Sequence, residues 1–64
     1  MTELEEILIV LLQDNGMPKQ SKVGITMMLR TPYQQAVMIE YLIKNKNQTS
    51  DQIIKKALEI FKEK

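Results

Sequence analysis

Sixty-four residues with nine Lys/Arg, eight Asp/Glu, no His and no Cys describe one small domain without disulfides or thiolate and imidazole metal sites. Such a chain buries only about 60% of its unfolded surface, so a partner chain is the expected stabiliser, and no enzyme and no cofactor are expected. The net charge of +1 is unevenly spread: residues 1–16 hold Glu3, Glu5, Glu6 and Asp14 with no base, whereas every Lys and Arg falls in residues 17–64, an asymmetry expected of a module that meets a polyanion.

Thr2 and Glu5 form a Thr-x-x-Glu box before an apolar run, which predicts a helix over residues 3–13. Leu4, Ile7, Leu8 and Leu11 share one face, and Ile9, Val10 and Leu12 cover much of the rest, so this helix has more apolar surface than one packing face requires. Its longest apolar run, Ile7 to Leu12, is far short of the about 20 residues that span a membrane, and the acidic residues before it are unlike a signal peptide. A cytoplasmic protein without membrane contact is expected. Asp14-Asn15-Gly16 is a stop signal.

Residues 17–22 read as a loop. From Val23 to Arg30 the apolar residues Val23, Ile25, Met27 and Leu29 alternate with Gly24, Thr26, Met28 and Arg30, a period of two that predicts a strand. A lone strand has no partner for its backbone hydrogen bonds within its own chain, so it is expected to pair with a second copy.

Thr31-Pro32-Tyr33-Gln34 opens the next helix, predicted over residues 32–46, with Thr as N-cap and Pro at the first helical position. Ala36, Ile39, Leu42 and Ile43 form its apolar stripe, and Asn45-Lys46-Asn47 ends it. Thr49-Ser50-Asp51-Gln52 repeats the capping signature ahead of a last helix over residues 50–63, with Ile53, Ile54, Ala57, Leu58 and Phe61 on its inner face. The whole chain, residues 1–64, is one domain without internal repeats.

A strand followed by helix, tight turn and helix resembles the ribbon-helix-helix repressors of the Arc, MetJ and CopG type. The resemblance covers residues 22–63 and is best from Asn47 to Phe61, where a turn, a capping residue, two aliphatics, two charges, Ala-Leu and an aromatic follow one another. The fold expected is therefore mainly α, with an intermolecular antiparallel β-ribbon at about residues 23–30 and an added N-terminal helix.

The family implies a homodimer, with higher-order assembly on DNA, acting as a sequence-specific transcriptional repressor of plasmid or phage type. Its ribbon enters the major groove of double-stranded DNA. Thr26, Met28 and Arg30 would read bases, and Lys19, Lys22, Thr49 and Ser50 would hold phosphates. Ile25, Met27, Leu29, Ile39, Leu42, Ile53, Ile54, Ala57, Leu58 and Phe61 would form the dimer core. The alternative expectation is a small all-helical interaction module, an inhibitor or assembly factor, in which residues 23–30 are helical and the apolar N-terminal helix binds a protein partner.

Overall fold

The computed structural model describes residues 3–63, which form four helices: α1 (Glu3–Asp14), α2 (Lys19–Met28), α3 (Pro32–Lys44) and α4 (Ser50–Lys62). Among the described residues there is no strand, and no helix is long and apolar enough to cross a membrane.

Three of the helices follow the local chemistry of their ends. α1 carries Glu3, Glu5 and Glu6 in its first turn, where carboxylates suit the positive end of the helix dipole; Thr2, expected to cap it, lies outside the described residues. Its C-terminus is a Schellman turn. Gly16 takes φ +76° and donates to the Gln13 carbonyl at 2.9 Å, and the Met17 N–H donates to the Leu12 carbonyl at 3.1 Å. Met17 is thereby turned inward and buried. The two capping boxes expected within the described residues are formed: the Gln34 N–H donates to the Thr31 hydroxyl at 3.2 Å and the Gln52 N–H to the Thr49 hydroxyl at 3.2 Å. The side-chain carbonyls of Gln34 and Gln52 accept from the Thr31 and Thr49 backbone in return.

The strand expected at residues 23–30 and the loop expected at residues 17–22 are corrected by α2, which starts after Pro18 and runs to Met28. The alternation of Val23, Ile25, Met27 and Leu29 also contains the helical i,i+4 pair Ile25 and Leu29, and these two are the residues buried. Met27, expected beside them, is 60% exposed, because on a helix it points about 160° away from Ile25. The Leu29 N–H donates to the Ile25 carbonyl at 2.9 Å, and Thr26 turns its hydroxyl back onto the carbonyls of Lys22 and Val23. The backbone of this segment is thus satisfied within the chain and makes no demand for a partner strand.

The core is Leu8, Leu12, Met17, Ile25, Leu29, Met38, Leu42, Ile53, Ala57 and Ile60, drawn from all four helices and two connections. α1 packs on α2 and α3, and α4 packs on the same two helices, so the helices form a ring in the order α1, α3, α4, α2. The radius of gyration is 10.2 Å, close to the about 11 Å expected of a globule of this length. Of the expected core residues, Ile39 and Ile54 are half-buried, while Leu58 and Phe61 are 41% and 51% exposed and lie outside the single chain's core. The apolar face of α4 is two rows wide; Ile53, Ala57 and Ile60 fill the inner row, leaving Ile54, Leu58 and Phe61 to its flank.

Candidate interaction faces

The ring has four sides, and two opposite ones carry clusters of exposed apolar residues, while Val23 stands exposed on a third. On the α1/α3 side, Ile7, Val10 and Leu11 follow one another at i, i+3 and i+4, and Ile43 of α3 lies beside Leu11. Ile7, Val10 and Ile43 are 42%, 56% and 57% exposed. Glu3 and Glu6 border a shallow groove of about 420 Å³ over Ile7, Val10 and Leu11. Leu11 continues into a second depression of about 510 Å³ bordered by Asp14, Ile43 and Lys46. None of Glu3, Glu6 and Asp14 is held in an ion pair among the described residues. The result is an apolar strip bordered by acids at Glu3 and Glu6 and by the mixed pair Asp14 and Lys46 further along.

On the opposite side, between α2 and α4, Gly24, Met27, Met28, Arg30 and Phe61 line an open groove of about 570 Å³. Leu58, one turn before Phe61, lies on the same flank of α4. The absence of a side chain at Gly24 deepens the groove wall, and two flexible thioethers give it an adaptable floor. The Arg30 Nε donates to the Met27 carbonyl at 3.0 Å, which tethers the guanidinium at the groove's edge.

The remaining two sides differ in kind. Between α3 and α4 the surface is polar: the Tyr41 hydroxyl donates to the Gln48 side-chain carbonyl, and Lys56 Nζ lies 5.3 Å from the Tyr41 ring centroid. Between α1 and α2, Ile9, Lys19, Lys22, Val23 and Thr26 border a small groove of about 200 Å³.

Of the residues expected to read bases, Met28 and Arg30 line the α2/α4 groove together, and Thr26 lies apart from them. Thr26 faces α1, Met28 faces α4, and Arg30 lies beyond the helix end. Of the expected phosphate contacts, Lys19 and Lys22 stand one turn apart on α2, whereas Thr49 and Ser50 sit at the start of α4, with the Thr49 hydroxyl engaged in its own capping box. The apolar excess of α1 was visible in the sequence. The facing Ile43 and the groove formed by Met27 and Phe61 were not, since the sequence pattern places those residues in a stripe, a ribbon and a core. The chain matches no protein-family model, and no curated protein or solved structure is significantly similar to it.

Proposed function

We propose that this chain is a non-catalytic protein-interaction module whose α1/α3 side docks against an apolar partner surface with a basic border, such as one face of an amphipathic helix. The observation that carries this reading is the exposure of Ile7, Val10 and Ile43 beside Glu3, Glu6 and Asp14. Apolar strips rimmed by charge mark docking surfaces, and a helix laid in a groove presents its own apolar stripe at matching spacing. The acidic border selects a partner whose flanks carry Lys or Arg. The helical state of residues 19–28 supports this reading over one that needs a ribbon.

The test is titration of the full chain with a synthetic amphipathic helix of Leu and Lys, followed by backbone amide shifts. Expected are shifts concentrated at Ile7, Val10, Leu11 and Ile43, lost in Val10→Arg and absent with a Leu/Glu helix of the same length. Shifts confined to α2 and α4 would overturn the assignment. Duplex DNA is the competing ligand: a salt-sensitive gel shift abolished by Lys19→Ala and Lys22→Ala would replace the module with a nucleic-acid binder.

A further inference from the structure

The two apolar sides of the ring are complementary to each other. The α1/α3 side offers Ile7, Val10, Leu11 and Ile43 inside a border of Glu3, Glu6 and Asp14, with Lys46 beside Asp14. The α2/α4 side offers Met27, Met28, Phe61 and Leu58 inside a border that includes Arg30. They face opposite directions, because α1 and α3 are neighbours in the ring and so are α4 and α2. One molecule therefore cannot satisfy both with itself.

We infer that the occupant of the α1/α3 side is the α2/α4 side of a second copy of this chain, so that copies dock head to tail. This inference rests on the reading of α1/α3 as a docking surface. Helix α1 is itself the amphipathic helix that the α2/α4 groove fits: its Ile7 and Val10 enter between Met27 and Phe61, and its Glu3 and Glu6 meet the tethered Arg30. The adaptable methionines accommodate the β-branched side chains, and opposite borders steer the encounter and set its orientation. Since the two contacting surfaces differ, the contact is heterologous. Each added copy leaves one free face at either end, and assembly continues unless the rotation between copies closes a ring.

Two single-face variants test this with the full chain. Val10→Arg spoils the acidic face and Met27→Asp the basic one; both residues are largely exposed, and unchanged helical circular dichroism checks that the fold is kept. Sedimentation velocity is expected to show the wild-type chain growing beyond a dimer as concentration rises. Each variant alone should be monomeric, with association weakened about tenfold or more. An equal mixture of the two should form a one-to-one dimer and stop there, since only one intact pair of faces remains. Val10→Arg that still dimerises alone would overturn the head-to-tail contact in favour of a symmetric one. A wild-type chain that stays monomeric at millimolar concentration yet binds the Leu/Lys helix through Val10 would overturn self-docking alone. A chain that does neither would overturn the docking surface as well.

Discussion

The side-chain amide of Gln35, buried in the middle of the molecule, donates from Nε2 to the carbonyl oxygen of Leu29 at 3.0 Å. Leu29 ends α2 with φ −96° and ψ +82°, so its carbonyl is outside any helical ladder and, with the residue fully buried, beyond easy reach of water. Gln35 satisfies it from the second turn of α3 and ties the connection between the two helices to the core. Among the described residues no buried side-chain nitrogen or oxygen lacks a partner.

Gln35→Leu should therefore destabilise the chain although it replaces a polar core residue with an apolar one. The Leu29 carbonyl would be left buried and unpaired, at a cost of about 1–3 kcal/mol. Urea unfolding followed by circular dichroism measures it. Stability equal to wild type would mean that water reaches that carbonyl.

Helix α2 is the locally weakest of the four: its N-cap, Pro18, makes no side-chain cap bond, its first turn has no acid, and Gly24 lies in its interior. A Cβ at Gly24 would meet nothing within 4 Å. Gly24→Ala should accordingly raise stability by about 0.5–1 kcal/mol, the helix-interior difference between the two residues. A loss of stability would argue that residues 23–30 are extended in solution.

The two rows of α4 should respond differently. Ile53→Ala removes a fully buried side chain and is expected to cost about 2–5 kcal/mol in thermal or urea unfolding. Leu58→Ala and Phe61→Ala, on the exposed flank, should cost about 1 kcal/mol in dilute solution. Their larger effect should appear in sedimentation at high concentration, as loss of self-association.

The turn before α4 holds Asn47 at φ +64°, in the left-handed region that ordinary side chains avoid. Asn47→Ala is expected to destabilise by about 1–2 kcal/mol, whereas Asn47→Gly should be nearly neutral because glycine adopts that conformation freely. Paired melting curves of the two variants separate the backbone effect from any contact of the Asn side chain.

What the sequence determined by itself is the set of features that close within a few residues. The stop at Asn15-Gly16, the Thr31–Gln34 and Thr49–Gln52 boxes, and the turn at Asn47 each satisfy backbone groups from side chains or glycine at fixed offsets. Those offsets are legible without any knowledge of the rest of the chain, and they bound α3 and α4 to within two residues of their observed ends. Residues 23–30 have no such local signal, and their alternating pattern fits a strand as well as a helix. Only the other helices decided between them, by offering a core that covers Ile25 and Leu29 together while leaving Met27 outside. The candidate faces divide in the same way. That α1 has apolar surface to spare follows from its composition, but which residues remain uncovered depends on the rotation of each helix about its axis. That rotation is set by packing against two neighbours at once, so the pairing of Leu11 with Ile43, and of Met27 with Phe61, exists only in the folded ring.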